Sequence, residues 1–250
     1  MIWSEETEQR ALELRNAGHT YESIAKALGT TANSVKHKVR RLGQHGDDQK
    51  YCHTEEKIEQ IEKWLPRLDR HGLAVLETHC GYGNLTKHYQ QYGSVLAMDH
   101  GEGKVEAVKD MHMEDVDVIK VDCEDELYRL VAARCWFDVI DIDPYGFPSR
   151  LFPHAFSLIN DGLMFLTFPM MGVAQINKIT IRHYQAFWGI ELEDKEEYVD
   201  KIIARLHDFA FMHKRSVEVL DVQRIDRVFR FALRVRKESL LKIVGLEVNR

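Results

Sequence analysis

The sequence predicts an α/β protein that carries a small all-α region at its N-terminus. Strand candidates alternate with helices from residue 73 onward, and this alternation favours a parallel sheet with helices on its faces. The last two strands are close enough to pair as an antiparallel hairpin. A chain of 250 residues has room for one large domain and a small appendage. The strand candidates are Leu73–Glu77, Ser94–Asp99, Asp117–Val121, Phe137–Ile142, Leu163–Phe168, Ser216–Leu220 and Val228–Arg236.

Composition excludes several classes of protein. The chain has no run of about 18 apolar residues, so we expect no membrane-spanning helix. Its acidic start lacks the apolar region of a signal peptide, and we therefore expect a cytoplasmic protein. The four cysteines are far apart and form no C-x-x-C pair, which argues against a disulfide scaffold and against a bound metal.

One segment near the N-terminus is basic although the whole chain has a net charge of −6. A local basic face matters more for phosphate binding than the total charge of the protein. Between Thr31 and Leu42 there is no acidic residue, and the basic residues there are Lys36, Lys38, Arg40 and Arg41. These four side chains are candidates for contact with a nucleic acid.

Three short helices are expected in the first 43 residues. Ser4 and Thr20 are suitable N-caps for the first two helices, and Gly29 separates the second from a third whose basic side chains should point outward. This pattern resembles a helix-turn-helix of the homeodomain-like kind, a family that places its last helix in the DNA major groove. The resemblance implies a nucleic-acid-binding domain over residues 1–43, followed by a polar linker over residues 44–54. A plain helical bundle or a protein-docking module stays open.

A turn with two glycines follows the first strand of the α/β region. Gly81 and Gly83 allow a tight turn and a close approach of a ligand to the main chain. Acidic residues near the ends of the first three strands suit a nucleoside ligand. Glu77 can hold an amino group, Asp99 can accept hydrogen bonds from ribose hydroxyls, and Asp122 can reach an adenine amino group. The remaining residues that we expect to line this cofactor site are His79, Cys80 and Cys123.

The spacing from Gly81 to Asp99 also occurs in NAD-binding folds. Here, however, Thr86 takes the place of the third glycine, and a cofactor without a pyrophosphate does not need that glycine. The stretch from Leu73 to Asp143 resembles the class I S-adenosylmethionine-dependent methyltransferases. The resemblance implies S-adenosylmethionine (SAM) as cofactor. It also implies a Rossmann-like sheet of seven strands, the last one antiparallel, in a domain over residues 55–250.

The fourth strand ends in the segment D-I-D-P-Y-G, residues 141–146. This segment resembles the [DNS]-P-P-[YFW] motif of methyltransferases that act on exocyclic amines of adenine and cytosine, although Tyr145 replaces the second proline. It matches more closely the D-x-D-P-Y-G pattern of the tRNA guanine N2-dimethyltransferase family.

An exocyclic amine is a weak nucleophile because its lone pair is delocalised into the ring. The Asp143 carboxylate and the Pro144 carbonyl can accept its two hydrogens and turn the lone pair toward a methyl donor. Tyr145 can stack on a base that has left its helix. Asp141 is a further catalytic candidate, and its alternative is a buried structural acid.

The acceptor is less clearly defined than the cofactor. Phe147 and Pro169 are candidates for the wall of the substrate pocket, and a basic C-terminal tail could contact phosphates. We expect a nucleic acid, with DNA favoured over tRNA because of the N-terminal resemblance. A tRNA guanine N2-methyltransferase, a DNA-binding regulator that senses the cofactor, and a small-molecule methyltransferase stay open. The basic residues of the tail are Lys214, Arg215, Arg224, Arg227, Arg230, Arg234 and Arg236.

Overall fold

The structure is a computed structural model that describes residues 3–17, 19–36, 38–39, 53–148, 150–169 and 198–238. The chain divides into two compact units, Met1–His53 and Thr54–Arg250. Most of the predicted linker, residues 44–52, lies outside the described residues. Within the described part of the chain, no helix is both long and apolar enough to cross a membrane.

The N-terminal unit consists of short helices around a small apolar core. Helix α1 is Glu5–Asn16 and helix α2 is Tyr21–Leu28, and residues 32–36 and 38–39 are also helical. The caps predicted for the first two helices are present at Ser4 and Thr20. Gly29 follows α2 with a left-handed φ of 64°, which glycine adopts without strain. The buried core residues are Ala11, Ile24, Ala25, Val35 and Val39.

The expectation that Lys38 points outward is wrong. Its side chain is only 9% exposed, and its ammonium group donates a hydrogen bond to the Glu8 carboxylate of α1. The same ammonium lies 5.6 Å from the centroid of the Trp3 ring. An acid and an aromatic ring on the neighbouring segment therefore compensate the burial of this lysine. Of the other basic residues expected on this face, Lys36 is exposed, and Arg40 and Arg41 lie outside the described residues.

The C-terminal unit is built on one seven-stranded sheet with the strand order β3-β2-β1-β4-β5-β7-β6. Strands β1 to β5 are parallel, and β7 lies antiparallel between β5 and β6. The predicted seven-stranded sheet with an antiparallel last strand is confirmed. The strands are β1 Leu73–Thr78, β2 Gly93–Asp99, β3 Val116–Lys120, β4 Phe137–Ile142, β5 Ile159–Pro169, β6 Arg215–Ile225 and β7 Val228–Lys237.

Helices cover both faces of this sheet. They are α3 Thr54–Trp64, which a 3₁₀ turn Leu65–Leu68 follows, α4 Asn84–Tyr89, α5 Glu102–Lys109, α6 Cys123–Ala132, α7 Phe152–Ser157 and α8 Tyr198–Met212. Apolar side chains of α3, α4 and α5 form one core with the sheet, and those of α6, α7 and α8 form the other. Ile61 and Trp64 bury one face of α3 against the first of these cores. Because of this packing, α3 lies directly against the sheet that carries the predicted site.

Candidate active site

The register of the sheet brings the two predicted motifs to the same edge. Strand β1 lies between β2 and β4, and Thr78 pairs with Met98 on one side and with Ile142 on the other. The segments that begin at His79 and at Asp143 therefore leave the sheet side by side. Open α/β sheets bind their ligands at this carboxyl edge.

The turn after β1 is held by a buried carboxylate. Gly81 and Gly83 have left-handed φ values of 56° and 77°, and a side chain on Gly83 would come within 3.0 Å of Val108. Asp99, at the end of β2, accepts hydrogen bonds from the main-chain N–H of Gly81 at 3.1 Å and of Gly101 at 2.8 Å. The turn is thus fixed by hydrogen bonds while its glycines leave the main chain uncovered.

Glu77 is a buried acid beneath this turn. The hydroxyl of Thr86 donates a hydrogen bond of 2.6 Å to its carboxyl group. Burial raises the pKa of Glu77 well above the ordinary value, and the charges of Asp141 and Asp143 add to this effect, whereas the Thr86 bond and Arg230 oppose it. A cation that arrived beside Glu77 would favour its ionised form.

The other predicted cofactor residues surround the same turn. His79 has a φ of 61°, and its Nδ1 lies 3.1 Å from the Thr78 hydroxyl. Burial lowers the pKa of His79 and raises the pKa of the Cys123 thiol to about 11, so both side chains favour their neutral forms. Asp122 is exposed and caps α6 by accepting a 2.9 Å hydrogen bond from the Glu124 N–H.

Asp143 is held by charged and polar groups from outside its own motif. The ammonium of Lys57 in α3 lies 2.5 Å from Oδ2 of Asp143, and Thr167 in β5 is a polar neighbour that also lowers the pKa of this carboxylate. Burial opposes ionisation, but the charges of Lys57 and Arg230 outweigh it and hold the pKa of Asp143 below its usual value. Its side chain is still 18% exposed. Asp143 is therefore an ionised acceptor at an accessible edge.

Asp141, two residues earlier, is completely buried in β4. Arg230 of β7 donates hydrogen bonds of 3.1 Å and 2.6 Å to its two oxygens, and the Tyr89 hydroxyl donates a third of 2.6 Å. Arg230 is also fully buried, so the expectation that it contacts phosphates with the rest of the tail is wrong. These contacts favour the alternative that Asp141 is a buried structural acid.

The end of the motif is open to solvent. The Tyr145 side chain is fully exposed, so its ring is free for stacking. The Pro144 carbonyl accepts a 2.8 Å hydrogen bond from the Gly146 N–H, and a carbonyl oxygen can accept a second one. Gly146 has a φ of 144°, a conformation that favours glycine.

The residues predicted to wall the substrate pocket are partly covered by neighbours. The Phe147 ring packs edge-on against Phe168, with ring centroids 5.7 Å apart. Pro169 ends β5, and its carbonyl accepts a 2.9 Å hydrogen bond from the hydroxyl of Tyr198 in α8. Both residues flank the carboxyl edge, and their contact with a substrate stays a prediction.

Comparison with known proteins identifies the fold. No family model and no curated protein matches the chain. Trm1 from Pyrococcus horikoshii, solved with S-adenosyl-L-methionine, matches with a TM-score of 0.57 and 17% identity, over 70% of this chain and 53% of that one. Magnesium protoporphyrin IX methyltransferase (ChlM) from Synechocystis PCC 6803, solved with bound SAH, matches with a TM-score of 0.50 and 17% identity, over 74% of this chain and 83% of that one.

The chain has the Rossmann-like methyltransferase fold. The matched region spans about half the length of the Trm1 chain. Within the described part of this methyltransferase fold, no group of three or more His, Cys, Asp or Glu side chains could hold a metal ion.

Sequence reasoning missed two of the polar groups around Asp143. Lys57 lies on the buried face of α3, four residues before Ile61 and seven before Trp64. A lysine at helical spacing from buried apolar residues is a detectable signal, because lysine is rarely buried without a partner. Thr167 offers no such signal, since threonine is common in strands. Arg230 belongs to the predicted basic tail, although it stands within the apolar run Val228–Leu233.

Proposed function

We propose that the protein is a SAM-dependent methyltransferase that acts on an exocyclic amino group of a base in a nucleic acid. The observation that carries this proposal is Asp143. It is an ionised and accessible carboxylate in a D-P-Y-G segment, at the same sheet edge as the Gly81–Gly83 turn. The fully exposed Tyr145 follows it and can stack on a base.

The residues around the glycine turn fit SAM as the cofactor. The turn offers main chain without covering side chains, and Asp99 offers a carboxylate at the end of β2 for ribose hydroxyls. Burial opposes the ionisation of Glu77, and the positively charged amino group of the cofactor would offset this effect. The exposed Asp122 can reach an adenine amino group. When bound, SAM supplies an electrophilic methyl group on a sulfonium.

The side chains at the edge would direct the acceptor amine toward that methyl group. Asp143 accepts one N–H of the amine, and the Pro144 carbonyl accepts the other with its second lone pair. Bound SAM would supply the methyl group and keep the electron pair of the broken C–S bond, and the amine nitrogen would release its extra proton to solvent at the open edge. Positioning contributes most of the rate enhancement in such a transfer.

Two observations bear on the choice of nucleic acid. The N-terminal helices and the exposed Lys36 favour duplex DNA as the first candidate, although the burial of Lys38 reduces the expected basic face. The close match of residues 141–146 to the D-x-D-P-Y-G pattern favours tRNA guanine N2 as the second candidate.

Transfer of a labelled methyl group tests the proposal. The protein is incubated with labelled SAM and either duplex DNA or bulk tRNA, and the digested nucleosides are identified by mass spectrometry. Asp143→Asn keeps the shape of the side chain but loses its charge, and we expect transfer to fall by about 100-fold or more. Cofactor affinity, measured by calorimetry, should change little. A fully active Asp143→Asn variant would contradict the proposed role of Asp143.

Deletion of residues 1–43 tests the part played by the N-terminal unit. We expect weaker DNA binding in a mobility-shift assay and a flatter dependence of affinity on salt, because phosphate contacts are lost. Unchanged binding would remove the argument for DNA. Label found only in tRNA would favour the second candidate, and binding of DNA and SAM without any transfer would favour a cofactor-sensing regulator.

A further inference from the structure

A buried lysine touches the proposed acceptor carboxylate. Lys57 lies in the first turn of α3, is 8% exposed, and contacts Asp143 from 86 positions earlier in the chain. A lysine loses favourable hydration when it is buried, so an ion pair with good geometry is needed to hold it there. Its ammonium nitrogen lies 2.5 Å from Oδ2 of Asp143.

The helix that carries Lys57 is itself fixed to the sheet next to the site. Gln60, one turn further along α3, donates a 3.2 Å hydrogen bond from its side chain to the main-chain carbonyl of Arg230. The Arg230 guanidinium donates a 2.9 Å bond to the Thr167 hydroxyl, and both residues lower the pKa of Asp143. The carboxylate of Asp143 is therefore held by Lys57 of α3 and faces polar and charged groups of β5 and β7.

We infer that Lys57 is a positioning residue for methyl transfer, which orients Asp143 and keeps it in the charged form that accepts an amine hydrogen. This inference rests on the proposed function. Lys57 does not need to touch the base, because it acts through the carboxylate that does. Each oxygen of Asp143 can accept more than one hydrogen bond, so the ion pair and the amine can be held together.

The charged and titratable groups that face Asp143 determine how its pKa responds when Lys57 is lost. They are Lys57 from α3, Arg230 from β7, Glu77 from β1 and His79 from the glycine turn. Without Lys57, burial still raises the pKa of Asp143, and it is opposed by Arg230 and, more weakly, by Thr167. The removal of one close opposite charge shifts a carboxyl pKa by about 1–3 units. Asp143 works in its charged form. When the solution is made more acidic, a variant without Lys57 should therefore lose activity at a higher pH than the wild type does.

Three substitutions at Lys57 separate its charge from its packing. Lys57→Met removes the charge and the hydrogen bond, Lys57→Gln removes only the charge, and Lys57→Arg keeps both. Lys63→Met is the matched control, since Lys63 lies on the same helix and forms a 3.1 Å ion pair with Asp221. Each variant is compared with the wild type by its urea unfolding midpoint, so that a folding defect is recognised.

Two measurements are made on each variant. Carbon-13 NMR follows the carboxyl of Asp143, assigned with Asp143→Asn, as the pH is changed, and transfer rates give the pH profile. We expect Lys57→Met and Lys57→Gln to move the carboxyl titration and the acidic limb of the profile upward by about 1–3 pH units. Lys57→Arg and Lys63→Met should keep both near the wild-type positions. If Lys57→Met does not fold, Lys57→Gln carries the same test.

The outcomes distinguish this inference from the proposed function. An active wild type whose titration and pH profile do not change in Lys57→Gln overturns the inference and leaves the proposed function standing. A wild type that transfers no methyl group to any nucleic acid overturns the proposed function, and with it the role of Lys57 in transfer. An upward shift of the titration together with the pH profile supports both.

Discussion

Replacing Asp141 with asparagine should destabilise the C-terminal unit far more than an ordinary polar substitution. The carboxylate and the Arg230 guanidinium that it binds are both completely buried. In Asp141→Asn the guanidinium stays inside the protein without the carboxylate that it contacts directly, and only the more distant charge of Asp143 remains to balance it. Removal of one partner of a buried ion pair typically costs about 3–5 kcal/mol. The Tyr89 hydroxyl, which donates at 2.6 Å, would also lose its charged acceptor.

Urea unfolding, followed by tryptophan fluorescence and circular dichroism, measures this loss. The urea dependence of the unfolding free energy is about 1–3 kcal/mol per molar for small proteins. A loss of about 3 kcal/mol therefore moves the midpoint by about 1 M or more. Asp208→Asn is the matched control, because Asp208 is 61% exposed and pairs with Arg205 across one helical turn. An exposed pair of this kind contributes about 1 kcal/mol or less.

A double variant shows whether charge balance is the cause. In Asp141→Leu combined with Arg230→Met both charges are removed, and most of the lost stability should return, because apolar pairs often replace buried ion pairs without penalty. If the free energy of unfolding of Asp141→Asn fell by less than about 1 kcal/mol, the buried Asp141–Arg230 pair would not be important for stability. If it were stable but inactive, Asp141 would act in catalysis directly, and the structural interpretation would be refuted.

Three further predictions test the cofactor turn and the exposed ring. Because the pKa of Glu77 is raised, binding of SAM should release a proton over the pH range in which this carboxyl titrates. Calorimetry in two buffers should detect this proton, and Glu77→Gln should release none. Gly83→Ala should lower the unfolding free energy by about 1–3 kcal/mol, since the new methyl group meets Val108 at positive φ, whereas Gly103→Ala in α5 has open space and should not. Tyr145→Ala should leave the urea midpoint unchanged, because the ring is fully exposed. It should lower kcat/KM by about 5- to 150-fold, which corresponds to the loss of stacking on one base. A smaller loss would exclude stacking.

Local patterns explain why so much of the sheet could be predicted. Apolar runs such as Leu163–Phe168 predict buried parallel strands, and the carboxyl ends of neighbouring parallel strands meet at one edge. The glycine turn and the D-P-Y-G segment therefore came together as expected, through the register of Thr78 with Ile142. No local pattern shows which residues hold Asp143. Lys57 is 86 positions away from it, and only the packing of α3 on the sheet brings the two together.

The error at Lys38 has a similar physical origin. A basic side chain on a short helix is expected to face solvent, because burial removes its hydration. This expectation fails when a neighbouring segment supplies a compensating partner, as Glu8 and Trp3 do here. The helical pattern locates the face of a residue, but it carries no information about the charge on the helix packed against it.

The two acids of the D-x-D-P-Y-G segment have different but connected roles. Residues two apart on an extended chain face the same side, so Asp141 lies below Asp143 on the path to the core. Asp141 binds Arg230, and the positive charge of Arg230 lowers the pKa of Asp143. Asp141 thus fixes a cation that helps to keep Asp143 ionised. On this reasoning the first aspartate is needed although it is too deeply buried to meet a substrate, and its partner is supplied by the antiparallel strand β7.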